Sequence, residues 1–326
     1  DCTAPPELLD LCDGVDNDCD GSTDPSCPVV GAAESWLESN SNNTVFPAIA
    51  SDGANRALVT YLDRRTGEAG IRVTGTANQG TSWASPNDLR LDSNGDDIDA
   101  MSPAIAMASG NAYVAWEDTR NGNARSIYFR RSLDGGVTWE TGETRLDTGI
   151  TDDSFDIDMA AVGTSVYVVW QTMDWDDRSR AIFFAASTNG GSSFAAPVRI
   201  DHHPTPTTGI SRTPSVAAAA GGRVYVAFAD NRFGPDAIHV NASSDSGATW
   251  AAADVRLDPS TVESESQAPV ITSDSTGTVI VAWEDEIPDG ADNQWKIYAA
   301  VSTNHGVSFS AAVRLDDDPL PHDSRD

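Results

Sequence analysis

The sequence predicts an all-β fold built from repeated four-stranded units, and three observations support this prediction. A short phrase, seen as Ser132–Trp139, recurs along the chain, and its closing aromatic residues are Trp83, Trp139, Phe194, Trp250 and Phe309. The steps between these aromatic residues are 56, 55, 56 and 59 residues. Short apolar runs separated by Gly, Pro and Asn lie between the copies, and no long helical periodicity is present. A fixed period of this size is typical of one supersecondary unit used repeatedly.

Each unit, from about residue 44 onward, contains four short candidate strands, of which the first is apolar. In the second unit they are Ser102–Ile105, Ala112–Trp116, Ser126–Phe129 and Arg145–Asp147. Four antiparallel strands per unit, repeated in this way, predict the blades of a β-propeller, in which each blade buries its faces against its neighbours.

The two ends of the chain bear on how the ring closes. Five complete units are visible, but Glu34–Glu38 resembles the fourth strand of a unit that has no earlier strands. The tail His322–Asp326 resembles the approach to another first strand. These features favour a six-bladed ring whose sixth blade is completed by a missing segment or a second chain, and a five-bladed ring is the alternative.

The repeated phrase has a chemistry suited to a turn. Its third position holds a side-chain acceptor for backbone amides in every copy: Asn78, Asp134, Asn189, Asp245 and Asn304. A glycine follows two residues later and permits a positive φ, and the closing aromatic residue packs the turn onto the blade. The phrase resembles the Asp-box of sialidase-like (BNR-repeat) propellers over about residues 44–316. The resemblance implies a sialidase-like fold with the boxes on the face away from the active site.

The resemblance does not extend to a sialidase site. The nearest match to the family's Arg-Ile-Pro motif is Arg212-Thr213-Pro214, which falls in the fourth unit rather than at the first blade. The arginines that precede Leu/Ile-Asp recur in every unit, which indicates structural ion pairs. No catalytic residue is predicted. Acidic residues, among them Glu117 and Asp156, concentrate in two loop sets on the face opposite the boxes, which would suit cations, a basic partner or solubility alone.

Charge and hydropathy exclude two classes of partner. The formal net charge is −30 and the isoelectric point is about 4.2, so a phosphate backbone would be repelled and nucleic-acid binding is excluded. No run reaches the roughly 18 apolar residues of a membrane-spanning helix.

Residues 1–28 form a Cys/Asp-rich module, residues 29–43 a linker that includes the candidate outer strand, and residues 44–326 the propeller. The four cysteines of the chain all lie in the module: Cys2, Cys12, Cys19 and Cys27. They predict disulfides and an oxidising compartment, with three pairings open, and a zinc site is a minor alternative because close Cys pairs are absent.

A second motif in this module predicts calcium binding. The candidate ligands alternate along a Gly-containing loop: Asp16, Asp18, Asp20, Ser22 and Asp24. Their spacing follows the first nine positions of an EF-hand loop, but Cys27 stands where that loop has a bidentate Glu. Residues 12–21 also resemble the Cys/Asp-rich metal-binding motif of bacterial surface proteins. The alternative is an acidic turn held by disulfides without metal.

Together these features predict a secreted or cell-surface, non-catalytic, calcium-binding propeller that serves binding, adhesion or assembly. Its partner would be a protein or a glycan at the cell surface. The alternative is a glycoside hydrolase of sialidase type, or a lectin, that uses the acidic loop face.

Overall fold

A computed structural model describes residues 44–65, 69–83, 86–93, 100–122, 124–203, 209–258, 265–289 and 292–316. These residues form twenty β-strands in five four-stranded antiparallel sheets, and no helix occurs among them. In every sheet the strands follow one another in sequence order, from the first strand to the last. We number the sheets blades 1 to 5 along the chain. The prediction of an all-β propeller with five four-stranded units is confirmed at this level.

The strands have similar lengths in all blades. The first strands are β1 (Thr44–Ser51), β5 (Ala100–Ala108), β9 (Asp153–Val162), β13 (Ser211–Ala219) and β17 (Glu265–Ser273). The second strands are β2 (Ala57–Asp63), β6 (Asn111–Asp118), β10 (Ser165–Met173), β14 (Arg223–Asp230) and β18 (Val279–Asp289). The third strands are β3 (Gly70–Thr76), β7 (Ser126–Ser132), β11 (Arg180–Ser187), β15 (Ala237–Ser243) and β19 (Asp292–Ser302). The last strands are β4 (Leu89–Arg90), β8 (Thr144–Arg145), β12 (Val198–Arg199), β16 (Val255–Arg256) and β20 (Val313–Arg314).

The hydrophobic core lies between neighbouring blades. The second strands of blades 2 to 4 are buried along almost their whole length, because both faces of each sheet are covered. Between blades 1 and 2, for example, Leu91 from the end of blade 1 belongs to the same cluster as Ile105 and Trp116 of blade 2. The first strands of successive blades pack side by side, from β1 through β5, β9 and β13 to β17. Stacking of the blades therefore buries apolar surface that a single blade would leave exposed.

The strand register defines two opposite ends of the blades. In blade 2, Asp118 at the end of the second strand pairs with Ala100 at the start of the first strand and with Ser126 at the start of the third. The loops between blades and between second and third strands therefore lie at one end, which we call the loop face. The turns formed by the repeated phrase lie at the other end, the box face.

The repeated phrase forms the turn that leaves each third strand. In blade 2, Ser132 Oγ accepts a hydrogen bond from Gly136 N (2.8 Å), and Asp134 Oδ1 accepts one from Thr138 N (2.8 Å). Asn189 Oδ1 accepts from Ser193 N (3.0 Å) in the same way, so the acceptor, not its charge, holds the turn. These bonds are internal to the turn and place the phrase as scaffold.

Blades 1 and 5 each present an apolar face without a described neighbour. Leu315 of blade 5 is 59% exposed, whereas the corresponding residues of the other blades, Leu91, Leu146, Ile200 and Leu257, are all buried. Ile49 of blade 1 is 66% exposed, whereas its counterpart Ile105 is buried. A Cβ on Gly136 would come within 2.4 Å of Leu58 on the preceding blade, but one on Gly80 of blade 1 would meet nothing within 4 Å. Among the described residues, one face of blade 1 and one face of blade 5 therefore have no neighbouring blade, and we call these two the open faces.

No helix in the described part of the chain is long and apolar enough to cross a membrane.

Candidate functional site

The five first strands meet at a central depression on the loop face. This central depression has a volume of about 440 Å³, and every first strand contributes to its wall. One position of the repeat supplies a lining residue from every blade. From blade 1 to blade 5 these residues are Phe46, Ser102, Asp156, Thr213 and Ala268. The repeat thus places five chemically different side chains around one depression. Ligand sites are usually concave surfaces of this kind that carry a few polar groups.

The backbone at these five positions is unusual. All five residues have a positive φ, between 46° and 55°, although none is glycine. In each blade the register between the first and second strands shifts at this point, as between Met101 and Ala104. A β-bulge re-aims side chains, and a positive φ in a β-branched residue such as Thr213 stores strain. Such strain persists where the surrounding structure imposes it, and it concentrates at functional sites.

Glu117, at the end of the second strand of blade 2, lies directly behind this wall. It is 2% exposed. Its Oε1 accepts a hydrogen bond from Asp156 N (3.0 Å), and its Oε2 accepts one from the guanidinium of Arg125 (3.0 Å). The hydroxyl of Ser102, which lines the depression, also hydrogen-bonds to this carboxylate. Glu117, although buried, is therefore hydrogen-bonded to two residues that line the depression and belong to different blades.

Burial raises the pKa of Glu117 to about 7. The positive charge of Arg125 and the hydrogen bonds from Asp156 N and Ser102 act against this shift, and the negative charge of Asp156 adds to it. A carboxyl group that still carries its proton near neutral pH can act as a general acid.

The same strand position shows what Glu117 does structurally. Gln171 holds this position in blade 3, and its Oε1 accepts a hydrogen bond from Thr213 N of blade 4 (3.2 Å). Each side chain thus ties one blade to the bulge of the next. Since a neutral amide makes the tie in blade 3, the tie itself does not require an acid in blade 2.

Asp156 and two arginines surround the same corner of the depression. The side chain of Asp156 reaches solvent, yet the walls around it raise its pKa, while the positive charges of Arg125 and Arg180 act against that shift. The Arg125 guanidinium lies 4.0 Å from the ring centre of Phe155, and that of Arg180 lies 5.9 Å from it. Two carboxyl groups in different environments, with cationic groups beside them, form one electrostatic cluster.

Other polar groups near the depression have structural partners. Arg212, in the sequence that most resembles the Arg-Ile-Pro motif, forms an ion pair with Asp236 of its own blade. The arginines before Leu/Ile-Asp pair with those aspartates, as Arg145 does with Asp147 (2.7 Å). Asp158 accepts hydrogen bonds from Ser215 Oγ (2.9 Å) and Val216 N (2.8 Å), which joins blade 3 to blade 4.

The residues predicted from sequence fall into two groups. The five acceptors of the repeated phrase lie in the turns at the box face, away from the depression: Asn78, Asp134, Asn189, Asp245 and Asn304. The predicted calcium ligands and the four cysteines lie outside the described residues: Asp16, Asp18, Asp20, Ser22, Asp24, Cys2, Cys12, Cys19 and Cys27. Within the described ranges, no group of three or more His, Cys, Asp or Glu side chains is placed to hold a metal ion.

Comparisons with known proteins relate this fold to other chains. No protein-family profile and no curated protein sequence matches this chain. Among similar solved structures is a protein of unknown function from Dyadobacter fermentans, with 14% identity, a TM-score of 0.56, and coverage of 84% of this chain and 82% of that chain. An α-L-arabinanase of Penicillium chrysogenum complexed with arabinobiose has 16% identity, a TM-score of 0.52, and coverage of 83% and 80%. An α-L-arabinofuranosidase of Fusarium graminearum in complex with an iminosugar inhibitor has 12% identity, a TM-score of 0.52, and coverage of 85% and 82%.

At these identities the similarity shows a shared fold. The sequence predicts a non-catalytic protein, and this prediction is wrong. The two similar structures named above that have a stated activity are both carbohydrate-active enzymes. The two enzymes named above are an arabinanase and an arabinofuranosidase rather than sialidases. The sequence reasoning missed Glu117 and Asp156 as a pair because they are 39 residues apart and meet only across the boundary between two blades. The available signal was an acid at a strand position that Leu62, Gln171 and Ala229 hold in three other blades, although Glu284 repeats the acid in blade 5.

Proposed function

We propose that this protein is a glycoside hydrolase and that the central depression is its active site. The observation that carries the proposal is the buried carboxyl group of Glu117, which is hydrogen-bonded to Asp156 N and Ser102 at the wall of the depression and whose pKa is raised by burial to about 7. Glycoside hydrolysis needs one protonated and one ionised carboxyl group at the scissile bond. The fold is also one that an arabinanase and an arabinofuranosidase share.

In the proposed mechanism Glu117 supplies the proton. Through the Ser102 hydroxyl, the proton passes to the glycosidic oxygen, and the bond between that oxygen and the anomeric carbon breaks. Asp156, which faces solvent beside two guanidinium groups, acts on the other reactant, either as a base on water or as a nucleophile toward the anomeric carbon. The guanidinium of Arg125, which contacts Glu117, stabilises its carboxylate after the proton has left.

A substrate panel tests this function. Purified protein would be incubated with arabinan, arabinobiose, ulvan and fluorogenic sialosides between about pH 5 and 8, and new reducing ends or released fluorophore would be measured. We expect turnover of the neutral substrates arabinan or arabinobiose, because an arabinanase is among the similar structures. Failure to turn over any member of a broad panel, by a protein shown to be folded, would contradict the proposal.

We also propose that a sixth blade covers the open faces of blades 1 and 5. This is supported by Leu315, whose counterparts are buried between blades. Truncation of Leu257 to Ala, a buried residue, should cost about 2 to 5 kcal/mol of unfolding free energy. If a further blade covers Leu315, truncation of Leu315 to Ala should cost a similar amount in urea denaturation. A cost below about 1 kcal/mol for Leu315→Ala would show that this face is solvated.

Calcium binding by the amino-terminal module and a secreted or cell-surface location stay predictions. We expect Ca²⁺ to raise the melting temperature of the full chain and EDTA to reverse the effect. The change Asp18→Asn should weaken this response, because it removes one carboxylate from the predicted ligand set. An unchanged melting temperature, together with no heat of binding in a calorimetric titration, would exclude the site.

A further inference from the structure

An exposed tryptophan stands on the loop of blade 3 between its second and third strands. Trp175 is 64% exposed. Its indole nitrogen donates a hydrogen bond to Asp153 Oδ2 (2.8 Å), so its edge is bound while most of its ring surface is open.

The loop that carries Trp175 is held in place by its own hydrogen bonds. Asp174 N donates to Ser179 O (3.0 Å), and Arg178 N donates to Asp174 O (2.8 Å). Asp174 Oδ1 accepts from Asp176 N (2.8 Å), and Asp177 Oδ1 accepts from Ser179 N (2.8 Å). The ring is thus presented on a fixed support, and its contact with a ligand would cost little conformational entropy.

The partner of Trp175 joins it to the proposed active site. Asp153 is buried, and its Oδ1 accepts a hydrogen bond from Arg125 N (2.7 Å). The Arg125 side chain contacts Glu117 Oε2 (3.0 Å). Trp175, Asp153, Arg125 and Glu117 are therefore consecutive members of one polar network that ends at the wall of the depression.

From this geometry we infer that Trp175 is a stacking platform for a sugar ring of the glycan whose scissile bond enters the central depression. The inference rests on the proposed function and specifies how the substrate is held. Sugar rings present flat C–H faces, which carry partial positive charge and are attracted to the negative face of an aromatic ring. The hydroxyl groups at the ring edge would remain in water or reach the surrounding aspartates.

Phe233 offers a matched control. It is 65% exposed and lies on the corresponding loop of blade 4, but its ring stacks on His239 with 5.9 Å between ring centres. It has no hydrogen bond to the network of Glu117. If exposed aromatic area alone determined glycan binding, replacement of Trp175 and replacement of Phe233 would weaken it equally.

The experiment compares wild type, Trp175→Ala, Trp175→Phe and Phe233→Ala on an array of plant, algal and bacterial polysaccharides, followed by affinity electrophoresis in gels that contain arabinan. We expect the wild type to bind at least one polysaccharide and Trp175→Ala to lose roughly ten-fold in affinity. Trp175→Phe should keep part of the affinity, and Phe233→Ala should stay close to wild type. Melting curves would check that each variant is folded.

The outcomes separate this inference from the proposed function. On a hydrolysed glycan, Trp175→Ala should raise KM and leave kcat nearly unchanged. If hydrolysis occurs and Trp175→Ala has the wild-type KM, the platform is excluded and the hydrolase stands. If binding depends on Trp175 but no glycan is hydrolysed, the platform stands and the hydrolase fails. Absence of wild-type binding to every polysaccharide, or equal losses in Trp175→Ala and Phe233→Ala, would overturn the inference.

Discussion

Replacing Glu117 with Gln should make the protein more stable at pH 8 while it removes most of the activity. Gln is close in shape to Glu, and Gln171 already makes the corresponding interblade hydrogen bond in blade 3. The tie to Asp156 N should therefore survive the substitution. What the variant loses is the ionisable proton, and with it the general acid, which should reduce kcat by about 10² to 10⁴-fold.

The effect on stability follows from the raised pKa of Glu117. The carboxyl group loses its proton near pH 4.5 in the unfolded chain and near pH 7 in the folded protein. Between these values the folded state binds more protons, so the stability contributed by this group is present below about pH 4.5 and is lost as the pH rises through 7. The loss amounts to about 3 kcal/mol at pH 8. A neutral Gln does not incur this cost, so the variant should gain up to that amount over wild type.

Urea denaturation of both proteins at pH 5 and pH 8 measures this difference. We expect the gain of Glu117→Gln to be small at pH 5 and large at pH 8. Glu284→Gln is the matched control, because Glu284 holds the same strand position in blade 5 and is only half-buried, and its hydrogen bond from Gln267 is long (3.5 Å). It should change stability by less than about 0.5 kcal/mol at either pH. A pH-independent effect of Glu117→Gln would contradict the account of its burial.

Acid should destabilise the protein through His239 in blade 4. This side chain is 1% exposed, stacks between the rings of Phe228 (6.1 Å) and Phe233 (5.9 Å), and has no hydrogen-bond partner on either ring nitrogen among the described residues. Burial lowers its pKa to about 4, and Arg232 and Arg256 act in the same direction, while Asp230 and Asp254 oppose them.

The sign of the pH dependence follows from this lowered pKa. The unfolded chain takes up a proton near pH 6.5 and the folded protein only near pH 4, so the unfolded state binds more protons between these values. Stability therefore falls as the pH drops from about 7 to 4, by about 3 kcal/mol from this one group. His239→Phe should remove that part of the loss, since Phe183 fills the corresponding position of blade 3.

The measurement is urea denaturation of wild type and His239→Phe at pH 7 and pH 4.5. Other carboxyl groups titrate equally in both proteins, so the difference between the two isolates His239. We expect the variant to be more stable than wild type at pH 4.5 by at least about 2 kcal/mol beyond any difference at pH 7. Equal acid sensitivity of both proteins would show that His239 is hydrated or hydrogen-bonded in the folded state.

The repeat made the architecture predictable from sequence, whereas the site depends on departures from the repeat. The turn around Asp134 is local, since its acceptor and donors lie within four residues, and a periodic local motif can be recognised directly. Glu117 lies in a strand whose apolar pattern gives no sign of the acid's role. Its function depends on Asp156 N of the next blade and on burial behind the bulge, and neither is encoded locally.

Trp175 shows the same limit. Its hydrogen bond to Asp153 spans 22 residues and links the loop after the second strand of blade 3 to the start of the first strand. The exposure of Ile49 in blade 1 and of Leu315 in blade 5, in contrast, departs from packing that is repeated between the other blades. Packing between blades repeats along the chain, so it can be predicted from the repeat in the sequence. A cluster that forms once, from residues of several blades, leaves no repeated pattern from which to predict it.

The pH dependence of kcat/KM on the most readily hydrolysed glycan tests most directly the central claim, that Glu117 at the central depression is the general acid. We expect activity to fall ten-fold per pH unit above an apparent pKa near 7, which is the value that burial gives to Glu117. We expect Glu117→Gln to lose most of the activity and, in what remains, to lose this dependence on pH. A wild-type profile that is flat through pH 7, or full activity in Glu117→Gln, would contradict it.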